Sequence, residues 1–561
     1  MPRKDLLHGY RHPFMDATQF ATGVGDEPRT LTDLAMSQFS YTLRMKPEWY
    51  HKHTDPETRK KWAAEAADQS WKVRIPGGSV DTKLSTKQIC YVMDELAGYA
   101  ALRDAQNSCQ VSCFERIWES SHVINDEASA KLVQDISFLR HPGKSMPTGP
   151  VNWLLDPYLC PLIYGQTQVS TPDGPTTLKP PRGSYYTPDH YAVSSHFCLL
   201  PSIVSISPKS DAVEFRSYIN NLHPTHHANL YSSLSTLLAR FIPLFEHTLT
   251  DLHRNNPLTQ RISGCCKYTI WDEPEPPEHS DDEEGWATYE REMRQWSLNR
   301  PLQLPDVSSA GYRGGLESRR HKVSLAGREV KIIPSINEIS LDPATPFYAG
   351  SPWKVEGMRN ERITACGIYV ASKENITAPS LQFRMAITYP GGFMLGDSGA
   401  TLRTWGLRDV DPCHQYIGSI PNLEAGFGVV FPNIYQHQFA PFRLADPTKP
   451  GHLTCVSFWL VDPDISSNGL LSSEVGHRKS VPSTADVPPQ QKEWVAEIMD
   501  EVIDRQVPME VVERILESTE GLLDDSEAKQ VRQEISDERE EFRKLNDMNY
   551  FCVPFDVWGT I

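Results

Sequence analysis

Apolar residues recur at helical spacing between Leu230 and Leu252, where Leu230, Leu234, Leu237, Leu238, Phe241, Phe245, Leu249 and Leu252 share one face. The pattern predicts a buried helix with a kink at Pro243. From Leu31 to about Leu139 the reading is mainly helical, with Thr58–Ala66 and Ile89–Leu96 as amphipathic runs. Strand signals dominate from about Val323 to Val461. The stretch Leu381–Thr388 alternates, which sets Arg384 opposite the face carrying Leu381, Phe383, Met385 and Ile387. Phe427–Phe431 and Cys455–Val461 are continuously apolar and read as strands buried on both faces. Many short strands without alternating helices predict a barrel or jelly roll. Beyond Pro488 helical spacing returns with Trp494, Ile498 and Val502 and continues through the charged run Glu527–Lys544. Tyr550–Trp558 is apolar and is expected to dock back on the core, whereas residues 1 to about 25 read as a loosely held arm.

Composition narrows the function classes. With 39% apolar and 23% charged residues among 561, the chain is globular and can bury a large core. No stretch approaches about 20 uncharged apolar residues and the start lacks a secretory signal, so a cytoplasmic protein without a membrane partner is expected. Eleven scattered cysteines without a Cys-x-x-Cys pair predict reduced thiols rather than zinc. The net charge of −17 argues against a generic nucleic-acid coat protein. Much of the acid sits in one segment from Trp271 to Trp296, read as an exposed insertion. Arg319, Arg320 and Lys322 follow it in the best local basic patch, an RNA contact or a solvated hairpin.

Three motifs carry little chemistry. Gly143-Lys144-Ser145 lacks the first glycine of a phosphate loop, Phe138 standing in its place. Gly396-Asp397-Ser398-Gly399 mimics a serine-protease string but reads as a turn. His223, His226 and His227 read as histidines of a helix-start loop, since no carboxylate lies at ligand spacing.

One constellation differs. Iron oxygenases of the double-stranded β-helix type hold their metal with a His-x-Asp/Glu pair on one strand and a distant histidine. Trp353-Lys354-Val355-Glu356-Gly357 has that layout, and His437 in Phe431-Pro432-Asn433-Ile434-Tyr435-Gln436-His437 supplies the later imidazole. The first ligand position, however, holds Lys354. A protonated lysine has no lone pair for a metal, so neither a metal nor another cofactor is expected.

Trp353–Glu361, Glu374–Thr377, Phe431–His437, Asp446–His452 and Val487–Gln491 resemble the signature blocks of a large fungal family of unknown function with a relic oxygenase motif, part of which is similar to the fungal arginine-containing cyclodipeptide synthases. That family has histidine at position 354 and arginine at position 453, where this chain has Lys354 and Leu453. The resemblance implies an α+β fold: a mainly helical region over 1–200, a distorted double-stranded β-helix (jelly-roll, cupin-like) core over 201–480 with an acidic insertion at 271–300, and a helical tail over 481–561. It further implies synthesis of an arginine-containing cyclic dipeptide (a diketopiperazine) from arginyl-tRNA and a second aminoacyl-tRNA. In that scheme Glu356 and Glu361 recognise guanidinium or amine, His437 transfers protons, and Lys354 or Arg384 stabilises an oxyanion or RNA phosphate. Asn360, Trp353, Asn433 and Tyr435 complete the substrate site. Three alternatives stay open: an Fe(II)/2-oxoglutarate oxygenase, a non-catalytic relic of that fold, and a purely structural Lys354–Glu356 strut.

Overall fold

The computed structural model describes residues 10, 25–140, 150–181, 192–253, 256, 260–269, 272–464, 481–502 and 509–559. The Gly143-Lys144-Ser145 string and most of the N-terminal arm lie outside these. The elements that position the site are β1 (Gln110–Val111), β2 (Trp118–Ser120), β3 (Val151–Leu155), β4 (Ser202–Ile206), β5 (Val213–Phe215), β6 (Glu329–Leu341), β7 (Ile363–Glu374), β8 (Leu381–Ala386), β9 (His414–Ile420), β10 (Gly428–Pro432), β11 (Tyr435–Phe439) and β12 (Gly451–Val461). The helices are α1 (Leu31–Arg44), α2 (Thr86–Leu102), α3 (Ala228–Leu252), α4 (Glu283–Asn299), α5 (Lys492–Val502) and α6 (Asp525–Asn546).

The core is a distorted double-stranded β-helix with helices towards both ends of the chain. Its large antiparallel sheet runs β5-β4-β6-β12-β7-β10-β2-β1, with β3 also pairing β6, and its small sheet runs β9-β8-β11. The apolar runs explain this arrangement, because a strand flanked on both sides and both faces must be apolar throughout. Every residue of β10 is buried, as are the first nine of β7. Phe383 of the small sheet meets Phe431 of the large one edge-on, ring centroids 5.0 Å apart, which marks the core between the sheets.

The long helix α3 runs through Pro243 and lays its apolar stripe against the large sheet, where Phe241 meets Phe458 at 5.6 Å. Gly367 of β7 makes that approach possible, since a Cβ there would stand 2.8 Å from the Phe241 ring. A Cβ at Gly428 in the neighbouring β10 would stand 3.0 Å from the same ring.

The mainly helical reading of residues 1–200 needs correction: β1, β2 and β3 join the large sheet, and Trp71–Ile75 pairs with Gly78–Thr82 as a hairpin. These segments are short, so period-two alternation has few residues in which to show. The acidic insertion contains α4, which has no buried residue. Arg384 is buried despite its alternating strand. All eleven cysteines are free thiols. Among the described residues no helix is long and apolar enough to cross a membrane.

Candidate functional site

Residues 351–354 run antiparallel to β11, so Lys354 lies directly opposite His437. The Lys354 amide donates to the His437 carbonyl (3.3 Å) and the His437 amide to the Lys354 carbonyl (3.0 Å). Two residues on, Asn433 clamps the backbone of Glu356: its Oδ1 accepts from the Glu356 amide (2.8 Å) and its Nδ2 donates to the Glu356 carbonyl (2.8 Å). This fixes the carboxylate between the two other groups. Glu356 Oε1 lies 2.8 Å from Lys354 Nζ and 3.3 Å from His437 Nε2.

Burial by itself would raise the Glu356 carboxyl, but the Lys354 charge and the His437 hydrogen bond override it and hold it down at about 2. Burial pushes the His437 imidazole below its ordinary value, against the pull of Glu356. The cluster at neutral pH is therefore an ammonium, a carboxylate and a neutral imidazole. His437 Nδ1 is buried without a hydrogen-bond partner among the described residues.

Lys354 and Glu356 open on a cavity of about 210 Å³ whose walls include Trp153 and Tyr158 and whose roof is α6, through Arg532, Ser536, Arg539, Glu540 and Arg543. The roof arginines are anchored: Arg532 to Asp156 (2.9 Å), Arg539 to Glu361 (2.8 Å) and Arg543 to Glu540 (2.6 Å). Burial, with Glu356 close by, keeps the Tyr158 phenol protonated far into alkali. Four cationic side chains and two carboxylates line the cavity, and each cation is paired, with Asp156 and Glu361 completing the balance from behind the wall.

Lys354, Glu356 and His437 thus converge as their spacing predicts, and the strut between Lys354 and Glu356 forms. The other expected site residues are spread around this centre. Trp353 covers Arg384, whose guanidinium carbon is 4.8 Å from the ring centroid. Arg384 donates to Gln436 (2.5 Å) and pairs with Asp547. Glu361 accepts from the Leu199 and Met358 amides and from Arg539, so the guanidinium it binds belongs to this chain. Asn360 is tied to Ser194 and Tyr164, and Tyr435 is buried with its hydroxyl 3.5 Å from Arg116. Arg319 pairs with Asp251 (2.5 Å), Arg320 and Lys322 are exposed, and none of the three lines the cavity. In the protease-like string, Asp397 caps the helix Ser398–Trp405 and pairs with Arg300 (2.5 Å).

Sequence reading missed the roof and the walls. A signal existed for the roof: Arg532, Ser536, Arg539 and Arg543 follow at intervals of four, three and four, a polar stripe along one helix face.

Ferrous iron is the group this fold brings to mind, and the donors present do not fit it. A facial triad needs three lone-pair donors, and here an ammonium holds the first position and lies against the carboxylate oxygen that a metal would take. A divalent ion would meet that charge at close range.

A family model described as "Protein of unknown function (DUF4246)" matches residues 86–498, and one described as "Domain of unknown function DUF4246, N-terminal" matches residues 2–65. No curated protein matches the chain. Among solved structures, the chain aligns with a BsmA homologue from Methylobium petroleophilum PM1 at 9% identity and TM-score 0.15, over 24% of this chain and 41% of that one. It aligns with TqaL, an Fe(II)/αketoglutarate-dependent dioxygenase, at 5% identity and TM-score 0.23, over 74% and 91%, and with AviO1 from Streptomyces viridochromogenes Tue57 at 11% identity and TM-score 0.13, over 46% and 90%. Scores this low carry no argument about activity. The expected cyclodipeptide synthesis from aminoacyl-tRNA is not supported: the family is described only as one of unknown function, and Glu361, expected to recognise a substrate guanidinium or amine, is already paired with Arg539.

Proposed function

Since the chain belongs to the family described as a protein of unknown function (DUF4246), we propose from the cleft itself that it is an oxygenase-type β-helix protein that works without iron and binds a small, carboxylate-bearing molecule. One observation carries this reading: Lys354 Nζ lies 2.8 Å from Glu356 Oε1, in the seat that a first metal ligand would need. A fixed ammonium supplies positive charge at the head of the cavity without a metal. The cavity of about 210 Å³ suits a small metabolite, and the four cationic side chains on its wall, each held by a carboxylate, can also meet an anion. The roof arginines, already oriented by acids behind them, present planar donors to a carboxylate.

A ferrous oxygenase is the second reading, and one distance favours it: Glu356 Oε1 and His437 Nε2 already approach to 3.3 Å, as neighbouring ligands of one ion do. Anaerobic loading with Fe(II), followed by metal analysis and by thermal melting with 2-oxoglutarate as a probe dicarboxylate, separates the two. The expected result is iron well below one atom per chain and a rise in Tm with the dicarboxylate alone, with Lys354→His gaining iron. Stoichiometric iron in the unaltered protein, with oxoglutarate consumed once oxygen is admitted, decides for the oxygenase.

A further inference from the structure

The histidines ahead of α3 acquire a carboxylate that the linear sequence does not show. His223 and His226 sit one turn apart, their rings stacked at 4.0 Å, and Glu497 of the C-terminal helix α5 reaches both. Its Oε2 lies 3.3 Å from His226 Nε2 and 3.6 Å from His223 Nε2. All three donor atoms lie within 4.8 Å of one another. A tetrahedral zinc ion at about 2.0–2.1 Å from each donor holds its donors about 3.4 Å apart, so the two distances to Glu497 are already close to what one ion needs, and the stacked rings have only to turn until both Nε2 lone pairs meet at it.

We propose that His223, His226 and Glu497 form a zinc-class divalent cation site that pins the C-terminal tail to the β-helix core. Two imidazoles and one carboxylate are a borderline-soft set that favours zinc, nickel or copper over calcium or magnesium. The exposed side chains of His226 and Glu497 leave room for a water as fourth ligand. His223 is fixed from its other side, its ring meeting Trp494 edge-on at 5.1 Å. Its Nδ1 accepts the His226 amide at 3.3 Å. Zinc uptake moves that ring's proton from Nε2 to Nδ1 and gives up this one long contact in exchange for a metal bond. The site stands on different elements from the cleft, so it holds whichever ligand the cleft takes.

The test is a titration of zinc chloride into the metal-stripped full chain, read with a competing chromophoric chelator. The unaltered protein is expected to take up one ion per chain. His226→Ala and Glu497→Gln should weaken uptake by about tenfold or more, and His279→Ala in the acidic insertion should leave it unchanged. Absence of uptake, or equal affinity in the unaltered protein and in both ligand variants, overturns the site. Zinc should also raise Tm in the unaltered protein and not in Glu497→Gln; an equal response in the two overturns the pinning of the tail.

Discussion

Two of the buried charge clusters among the described residues differ in setting, one lying against a cavity and one sealed inside. In the sealed cluster Arg261 donates to Glu95 (2.7 and 2.8 Å), Asp33 (2.9 Å), Ser37 (2.8 Å) and Tyr99 (3.1 Å), which ties α1 and α2 to the segment following α3. All three nitrogens of that guanidinium are engaged. The cleft cluster is looser, for Lys354 keeps 29% of its side chain exposed and His437 Nδ1 has no partner. A closed network of this kind holds helices in place, whereas a charge with one open side can meet a ligand.

The contrast breaks most visibly at Arg261. Arg261→Met leaves Glu95 buried without its counter-charge, while Asp33 keeps only Arg29, and is expected to cost about 3–5 kcal/mol in urea unfolding; a loss as small as that at Lys354 would erase the distinction.

Acid should act next, and on the cleft side. Burial and the nearby Arg384 charge hold His414, in the small sheet, down at about 3, and His437 is also lowered. Each buried imidazole stays neutral where the unfolded chain takes up a proton, so stability is full above pH ~6.5 and falls as pH drops towards ~3, by up to about 4 kcal/mol for His414 alone. Glu356, held at about 2, adds a loss below pH ~4.5. Unfolding of His414→Gln across this range should show a flatter acid limb; an unchanged limb assigns the lability elsewhere.

Glu361→Gln removes the charge that anchors Arg539 and is expected to cost about 2 kcal/mol, with faster amide exchange confined to residues 525–546. The smallest effect belongs to Lys354→Met, about 1 kcal/mol, because Lys354 is partly solvated and His437 still donates to Glu356. Its signature is a weaker rise in Tm with the dicarboxylate rather than a lost fold.

How much of this the sequence made legible depended on range. α3 and the strands from β6 to β12 were readable because each buries its own apolar pattern. The Lys354-Val355-Glu356 pair was readable because a spacing of two puts both on one side of an extended chain, and His437 followed from the oxygenase layout. Glu361 was expected to recognise a substrate's guanidinium or amine, and in the fold it binds Arg539 of this chain instead. The docking of β2 and β3 on the large sheet and Glu497 beside His226 are pairings between distant segments that no local period encodes, and the polar stripe of α6 does not say which surface it covers. The Lys354-for-histidine exchange was legible, but its meaning was not, because spacing does not reveal what fills a cavity.

The glycine floor beneath Phe241 has an evolutionary corollary. Gly367 and Gly428, on neighbouring strands, both run beneath one aromatic ring, so a methyl group gained at Gly367 is tolerable only where residue 241 has shrunk, and one at Gly428 only where Val123, 2.4 Å from that Cβ, has given way as well. Among homologues positions 367 and 241 should therefore drift together, and position 428 with 241 and 123, rather than as independent sites.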